Sequence, residues 1–416
     1  MSPTIFISAG EASGEHYGAL LTAELDRKLR AAGQEPRFFG MGGERMAAAG
    51  LERVVRAEDV AVMGLTEVVR HLPRIYGEFR KLKRSIRERR PSLAILIDLP
   101  DIHLRLAREF HRLGIPVLYF VSPQLWAWKK HRIKQVQQFV RRMAVIFPFE
   151  EQFYREHGVK ADFVGHPLAD LPLPTISREQ FAAENGLHPG RTWVALLPGS
   201  RPHEIRDHLP ELIEAAWRLA QPKENLTDSP TEAFEFMIPL APTLTVQQQE
   251  AVLMLTEKLA GALPVRLVDD ARAALFHARA SVVASGTATV EAALIGNPFV
   301  VVYRVSPLTF AIAKRLVTVE HVAMANLIAG HRMVPELIQQ DFSAEKIVQE
   351  MERLLPDGPD RQSMLEELAE MGRVLRTAKK SEEREGSGSS AIERVACIAL
   401  EELGVQSAVN ESPPTV

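Results

Sequence analysis

Cysteine is almost absent from this sequence, since Cys397 is the only one among 416 residues. A single cysteine excludes an internal disulfide and is typical of a reducing compartment. No run approaches the roughly 18 uninterrupted apolar residues that span a bilayer. The first ten residues, MSPTIFISAG, lack the basic segment of a signal peptide and are predicted to form a strand. We therefore expect a cytoplasmic protein, unless it binds to a membrane surface.

Three further absences exclude classes of function. The glycine-rich segment GEASGEHYG lacks the G-x-G-x-x-G spacing, which disfavours a nucleotide-dependent dehydrogenase. No convergent set of carboxylates or other ligands stands out, so we expect no metal and no cofactor. The formal net charge of −3 and the lack of a groove-reading or RNP-type pattern argue against a nucleic-acid partner.

Short apolar runs alternate with helical patterns along most of the chain, which is typical of parallel βαβ units. At this length two domains are the default expectation. The predicted fold class is α/β, with two doubly wound, Rossmann-like domains facing a central cleft. The predicted strands cover residues 4–9, 36–40, 93–98, 116–121, 143–147 and 161–165 in the first half, and 192–197, 234–240, 264–268, 280–285 and 298–304 in the second.

A proline-spaced stretch at 168–177 is the predicted linker between the two domains. Residues 222–233 are predicted to form a polar loop insertion. The predicted domains are 1–169 and 170–345. Helices in 346–407 are expected to pack back on the first domain, and the polar tail 408–416 is expected to be disordered.

Five segments with chemically active residues follow predicted strands. They are GEASGEHYG (10–18), DLPD (98–101), SPQLWAW (122–128), PGSRPHE (198–204) and SGTATVE (285–291). Ligands of open α/β sheets bind beyond the carboxyl ends of the strands. These segments therefore indicate one ligand-binding cleft.

Two segments of the second half indicate a nucleotide diphosphate sugar. In SGTATVE, free N–H groups at a helix start suit a phosphate, and Glu291 suits the paired hydroxyls of a ribose. In PGSRPHE, Gly199 allows close approach, Ser200 can donate and Arg201 can clamp a phosphate. The alternative is an ordinary helix entry with Ser200 as N-cap and Glu204 closing a capping box.

The carboxylates of the first half are candidates for a general base. Asp98 and Asp101 end an apolar strand, where a base would face the ligand. The alternative is that one of them caps the next helix. Glu15, in the glycine turn GEASGEHYG, is a third candidate, although a glutamate there also favours a helix N-terminus.

Two basic stretches suggest docking to an anionic membrane. Residues 70–90 contain nine Lys or Arg against two Glu, and the segment around Trp126 and Trp128 is also basic. Residues 60–69 add an apolar edge, with predicted membrane contacts at Val62, Met63, Leu65 and Val68. The alternative for either basic stretch is a solvated helix face.

Taken together, the motifs resemble those of the lipid-A-disaccharide synthases. The matching stretches are GEASGE, AVMG, IDLPD, SP-x-x-WAW-x-x-x-R, GHPLAD, LLPGSR, ASGTATVEA and NLIAG, in order from residue 10 to residue 330. The resemblance implies a metal-free glycosyltransferase-B fold. It also implies inverting transfer from UDP-2,3-diacylglucosamine to 2,3-diacylglucosamine 1-phosphate, a step of lipid A biosynthesis for the Gram-negative outer membrane. The products are a β-1,6 disaccharide and UDP.

The resemblance assigns roles by position. Asp98 is the expected base, and the expected UDP-sugar contacts are Ser200, Arg201, Gly286, Thr287, Glu291 and Asn326. It further implies a peripheral protein on the cytoplasmic face of the inner membrane, and a homodimer that exchanges C-terminal helices. Alanine at 325, the DIHL sequence after Pro100 and Glu15 depart from the usual pattern, and the DIHL departure puts the acceptor pocket in doubt.

Two other functions fit the same scaffold. One is a UDP-sugar 2-epimerase or hydrolase, which would not need the apolar and basic 60–90 region or the WAW segment. The other is a non-catalytic protein that binds a nucleotide sugar or a membrane. Release of UDP from the two lipid substrates discriminates among the three.

Overall fold

A computed structural model describes residues 2–59, 65–127, 130–221, 234–306, 310, 321–376 and 389–405, with only the backbone given for 65–73 and for 130. The described chain divides into two compact units. The first unit comprises Met1–Asp170 together with Leu375–Val416, and the second comprises Leu171–Val374.

The first unit is built on a parallel sheet. Its elements in chain order are β1 (Thr4–Ala9), α1 (Ala12–Ala31), β2 (Arg37–Gly42), α2 (Glu44–Ala48), β3 (Leu51–Arg56), α3 (Leu65–Arg89), β4 (Leu93–Ile97), α4 (Pro100–Arg112), β5 (Val117–Phe120), α5 (Ile133–Phe139), β6 (Arg142–Val145), α6 (Pro148–Glu156) and β7 (Ala161–Phe163). The strand order is β3-β2-β1-β4-β5-β6-β7. Strands β1, β4 and β5 are almost wholly buried because helices cover both faces of the sheet.

The second unit repeats this plan. Its elements are α7 (Arg178–Asn185), β8 (Thr192–Leu197), α8 (Pro202–Ala220), β9 (Phe234–Pro239), α9 (Val246–Ala260), β10 (Val265–Val268), α10 (Ala271–His277), β11 (Ala280–Ala284), α11 (Thr287–Ile295), β12 (Phe299–Tyr303), α12 (Met324–Ala329), β13 (Glu336–Ile338), α13 (Ala344–Leu354) and α14 (Pro359–Arg376). The strand order is β10-β9-β8-β11-β12-β13, again with parallel pairing. The predicted α/β class with two doubly wound units is confirmed.

The C-terminal segment needs a correction. Helix α13 packs on α8 within the second unit, and most of α14 also belongs to that unit. Only the last described helix, α15 (Ala391–Leu403), returns to the first unit, where it packs against α1 and β4. Its apolar face is wide enough to bury seven side chains, which explains why it needs a partner surface.

Several predictions fall outside the described residues. They concern the loop at 222–233, the tail at 408–416, Val62, Met63 and Trp128. Leu65 and Val68 lie on α3, but their side chains are also outside the described part. Within that part, no helix is long and apolar enough to cross a membrane.

Candidate functional site

The first unit has its topological switch point between β1 and β4. These strands are neighbours, with Ala9 paired to Ile97. The strand after β1 is added toward one edge of the sheet, and the strand after β4 is added toward the other edge. A crevice opens at such a point because the two following connections diverge, and ligands bind there. The two loops that border it are GEASGE and DLPD, both singled out by their sequence.

The backbone at the end of β4 is strained. Asp98 has a φ of 54° and Leu99 a φ of 48°, so two consecutive residues with side chains adopt the left-handed conformation. Each such residue costs about 1–2 kcal/mol. Strain of this kind persists only where surrounding contacts hold it, and it clusters at functional sites.

Two buried donors hold this strained peptide. The carbonyl oxygen of Asp98 accepts hydrogen bonds from Tyr119 Oη at 2.5 Å and from His103 Nδ1 at 2.6 Å. Since a carbonyl can only accept, the His103 proton lies on Nδ1, and Nε2 accepts from Ser8 Oγ at 2.8 Å. Burial lowers the pKa of His103 to about 4, which keeps the ring neutral. We call Ser8, His103 and Tyr119 the carbonyl cradle.

The pKa of the Asp98 carboxyl is raised into a range that suits a general base. Burial raises its pKa to about 6, the nearby Glu11 carboxylate adds to the rise, and the Leu99 backbone N–H opposes it. A carboxylate with a pKa near 6 is ionised at neutral pH and is a stronger base than an ordinary aspartate. The arrangement therefore suits proton abstraction.

The other two candidate bases are engaged elsewhere. Asp101 is 64% exposed and forms an ion pair with Arg132 at 2.5 Å. Glu15 accepts from the backbone N–H of Met46 at 3.1 Å and thereby caps α2. The alternative, in which Asp98 or Asp101 is the N-cap of α4, is wrong, because the N-cap residue is Leu99.

The SPQLWAW segment follows β5, next to the Asp98 loop, and is held by a carboxylate that the sequence did not reveal. Glu150 Oε1 accepts from Ser122 Oγ at 2.8 Å and from Trp126 Nε1 at 3.1 Å. Burial raises the pKa of Glu150 to about 7. Trp126 is buried, so its predicted role in surface docking needs correction. The sequence offers one sign of Glu150, its position as the third residue of a helix that starts at Pro148. A glutamate at that position predicts a helix cap and not a buried hydrogen-bond acceptor for Trp126.

The second unit has its switch point between β8 and β11, where Leu197 pairs with Val283. The loops beyond these strands are the predicted phosphate segments PGSR and SGT. The structure therefore brings these two segments together at the edge where ligands of this fold bind.

In the PGSR loop, Glu204 occupies the backbone donors. Its Oε2 accepts from Ser200 N at 3.1 Å and from Arg201 N at 3.2 Å. The N-cap of α8 is thus Arg201 and not Ser200, as the alternative interpretation had it, although Glu204 does close a capping box. Gly199 has a φ of 124°, and a Cβ there would lie 2.7 Å from Glu204. Both the backbone conformation and the lack of space therefore require glycine. The Arg201 side chain is 54% exposed and its guanidinium lies 3.5 Å from Glu204, which leaves it available to a ligand.

The SGT loop leaves helix donors open. Gly286 has φ 155° and ψ −162°, a backbone that only glycine adopts readily. Thr287 starts α11 with an exposed side chain. In the described part of the chain, no acceptor lies on the backbone N–H groups of Thr287 and Ala288. A helix start with open N–H groups and a positive dipole end binds anions.

Glu291 lies one turn further along α11 and has a partner that no sequence pattern indicated. Its Oε1 pairs with Arg272 at 3.3 Å, and Arg272 also donates to the Pro172 carbonyl at 2.8 Å. Burial raises the pKa of Glu291, and the charge of Arg272 opposes the rise. The carboxylate is thus fixed in direction, and no hydrogen bond to Oε2 comes from the residues that the structure describes.

Asn326 does not lie where a ligand contact was expected. Its side chain is fully buried, and its amide hydrogens go to Val334 O at 2.9 Å and Glu336 Oε1 at 2.7 Å. Its Oδ1 accepts from Val334 N at 2.8 Å. Because these bonds use both donors, Asn326 stabilises the α12–β13 connection instead of facing a ligand.

No metal-binding cluster of three or more His, Cys, Asp or Glu exists among the described residues. The positively charged group at the second switch point is Arg201, assisted by the start of α11. The first switch point offers the carboxyl of Asp98. The second unit thus offers a candidate anion site, and the first unit offers a candidate base.

Comparison with solved structures shows the same architecture at low identity. The MnaA–UDP co-structure from S. aureus superposes with a TM-score of 0.62 at 12% identity, covering 99% of each chain. The calicheamicin glycosyltransferase CalG4 gives a TM-score of 0.57 at 17% identity, covering 97% of this chain and 98% of that one. These likenesses establish the fold alone.

Comparison with known sequences is more specific. The lipid-A-disaccharide synthetase family model matches residues 5–385. The lipid-A-disaccharide synthase of Acidobacterium capsulatum is 59% identical over 98% of both chains. That of Koribacter versatilis is 48% identical over 94% of this chain and 96% of its own. The chain therefore belongs to the lipid-A-disaccharide synthetase family, whose members are glycosyltransferases.

Proposed function

We propose that this chain transfers the sugar of UDP-2,3-diacylglucosamine to 2,3-diacylglucosamine 1-phosphate with inversion, and that Asp98 is the general base. The observation that carries the proposal is the strained Asp98 peptide at the first switch point, with a carboxyl whose pKa burial raises to about 6. A fold does not retain such strain without contacts that hold it.

The chemistry needs one base and one anion site. Asp98 removes the proton from the 6-hydroxyl of the acceptor as that oxygen attacks C1 of the donor. The bond from C1 to the diphosphate oxygen breaks on the opposite face, and its electron pair leaves with UDP. The new bond is a β-1,6 linkage.

The second unit holds the donor in this proposal. The diphosphate lies against the open N–H groups at the start of α11, with Ser200, Gly286 and Thr287 beside it. Arg201 compensates the charge that develops on the leaving group, and such fixed electrostatics are a large part of catalysis. Glu291, aligned by Arg272, accepts from the ribose hydroxyls.

The test compares variants of two aspartates that lie three positions apart in the sequence. Asp98→Asn should lower kcat by roughly 10²–10⁴, the range for removing a general base, and leave UDP binding intact. Asp101→Asn should be milder, since the Asp101 carboxylate is 64% exposed and is paired with Arg132. UDP release from the two lipid substrates is the assay. Near-full turnover of Asp98→Asn with loss in Asp101→Asn would exchange their roles.

The same assay separates the alternatives. An epimerase or hydrolase would convert the UDP-sugar without the acceptor, and a binding protein would release no UDP. The pH profile adds a signature of the base. Because Asp98 must be ionised and its pKa is about 6, kcat/KM should fall as pH drops below about 6. Glu15, which caps α2, is the base to examine if both aspartate variants stay active.

We further propose that the protein binds peripherally to the cytoplasmic face of the inner membrane. Both substrates carry acyl chains, so the enzyme must reach them in a bilayer. Residues 60–69 would insert through Val62, Met63, Leu65 and Val68, and the basic side chains of α3 would face anionic lipid. Sedimentation with anionic vesicles at low salt tests this, and no sedimentation of the wild type would refute it.

A homodimer that exchanges C-terminal helices is the remaining proposal. Its support is the position of α15, which packs on the first unit after a segment, 377–388, outside the described residues. Light scattering measures the mass directly. A monomer at all concentrations would refute the exchange.

A further inference from the structure

Positive charge is concentrated in one part of the first unit. Residues 70–142 contain eighteen Lys or Arg and five Asp or Glu, although the whole chain has a net charge of −3. Helices α3, α4 and α5 lie in this segment and contribute Leu82, Leu104 and Val136 to one core cluster. They therefore form one layer on the same face of the sheet, with their other sides toward solvent.

A groove of about 470 Å³ runs between α4 and α5 in this layer. Its apolar lining includes Leu104 and Phe139, and the ring of His111 lies 5.5 Å from that of Phe139. Its polar lining is cationic or neutral: Arg105, Arg108, His111, Arg112, Lys134 and the amides Gln135 and Gln138. Among the described residues that line it, none is a carboxylate.

Three of the four Lys and Arg side chains that line the groove lack counter-charges in the described part of the chain. Among the described residues, no ion pair or hydrogen bond engages the side chains of Arg105, Arg108 and Lys134. Arg112 lies 3.9 Å from Glu109. That one carboxylate is already paired with Lys83 at 2.8 Å and with Arg87 at 2.6 Å.

This arrangement costs stability unless an anion joins it. Arg105, Arg108 and Arg112 are spaced three and four residues apart on one side of α4, and like charges at that spacing repel. A guanidinium pair can hold a phosphate by two hydrogen bonds each, and the apolar lining suits the glycerol and carbon stem behind a headgroup. Nucleic acid fits less well, since stacking needs exposed aromatic rings, and Phe139 is half-buried beside the imidazole of His111.

We propose that the α4–α5 groove binds the phosphate headgroup of an anionic phospholipid when the first unit lies on a bilayer. The inference rests on the proposed peripheral binding and adds a defined headgroup site to it. Neither the donor site nor the base uses these side chains. Loss of the groove should therefore weaken membrane binding without changing the chemical step.

The test is a triple variant, Arg105→Gln, Arg108→Gln and Lys134→Gln, in the full chain. Its affinity is measured on phosphatidylcholine vesicles with and without phosphatidylglycerol. Each basic side chain near an anionic surface is worth about fivefold in affinity, so we expect a loss of roughly 100-fold on the anionic vesicles at low salt. The matched control removes the same charge from three exposed cations outside the layer, at Arg37, Lys160 and Lys258. It should lose less than about fivefold, since these three cations lie outside the basic layer that the proposal places against the bilayer.

Kinetics in neutral-detergent micelles complete the design. We expect the triple variant to keep the wild-type kcat and acceptor KM there, because no anionic bilayer is present. A raised acceptor KM with unchanged vesicle binding would overturn the proposal, since the groove would then hold the phosphate of the acceptor. Calorimetric binding of inorganic phosphate or of an RNA oligonucleotide, lost in the variant while vesicle binding persists, would also overturn it.

Two failures remain distinguishable. Equal vesicle affinity of the triple variant and the wild type refutes the groove but leaves the glycosyl transfer untouched. Absence of UDP release by the wild type in micelles refutes the proposed reaction itself.

Discussion

The carbonyl cradle around Asp98 allows a sharp test of whether backbone strain positions the base. Tyr119 is fully buried, and its hydroxyl donates to the Asp98 carbonyl at 2.5 Å. Tyr119→Phe removes that one donor and leaves the ring in place. His103 then holds the carbonyl alone, against a strain of about 2–4 kcal/mol in the two left-handed residues.

The expected losses follow from these magnitudes. A net hydrogen bond contributes about 1 kcal/mol, so Tyr119→Phe should lower the free energy of unfolding by about 1–2 kcal/mol. The larger effect should be on rate, because a displacement of the base by about 1 Å can cost up to 10²-fold. We expect kcat to fall about 10–100-fold while the donor KM changes less than about twofold. UDP release and urea denaturation measure the two quantities.

Tyr154→Phe is the matched control. Its hydroxyl is also buried in the first unit, with Ser122 Oγ at 3.3 Å and the Pro123 carbonyl at 3.2 Å, and it does not touch Asp98. It should lose a similar free energy of unfolding but keep kcat within about twofold. If both variants lose activity alike, or if Tyr119→Phe keeps full kcat despite its loss of stability, the cradle does not position the base.

Two further predictions concern the donor loop and the buried glutamate. Arg201→Ala should raise the donor KM and lower kcat, at a cost of about 2–4 kcal/mol, because a diphosphate clamp acts in both ground and transition states. Arg206→Ala, an exposed arginine on the same helix, is the control, and wild-type kinetics for Arg201→Ala would make the loop a helix cap only. Burial raises the pKa of Glu150 from 4.5 to about 7, so the folded state keeps a proton that the unfolded chain releases between those values. The free energy of unfolding should therefore fall by about 2–3 kcal/mol as pH rises from 4.5 to 7, and Glu150→Gln should flatten that slope in urea denaturation.

The fold could be predicted because buried parallel strands read as continuous apolar runs. Every strand expected from such a run is present, including LAILI and TWVALL. Two strands were not predicted, and both are at sheet edges. Strand β3, LERVVR, is half exposed and mixes charges with valines, while β13 has only three residues. Edge strands need fewer apolar residues, so their sequence signal is weak.

The site could be predicted only where position in the sheet decides it. Asp98 and the SGT loop follow central strands, and strand order brings such ends to the switch points. The carbonyl cradle could not be predicted, because Ser8 and His103 are 95 residues apart and meet only in the folded unit. Asn326 shows the converse: its position matched a motif, but burial decided its hydrogen bonds.

The return of α15 to the first unit has a consequence for how the chain folds as it is made. Arg142 on β6 is 9% exposed and pairs with Asp162 and with Glu401 on α15, a partner 259 positions later. Until α15 emerges, the part of α1 that packs against it is uncovered, and Arg142 lacks its partners Glu401 and Glu402. At ribosomal rates of about 5–20 residues per second, the second unit is completed first, and the first unit waits about 10–50 s for its last helix. The first unit to begin folding is thus the last to finish, and the waiting surface is where a chaperone or a second nascent chain would bind.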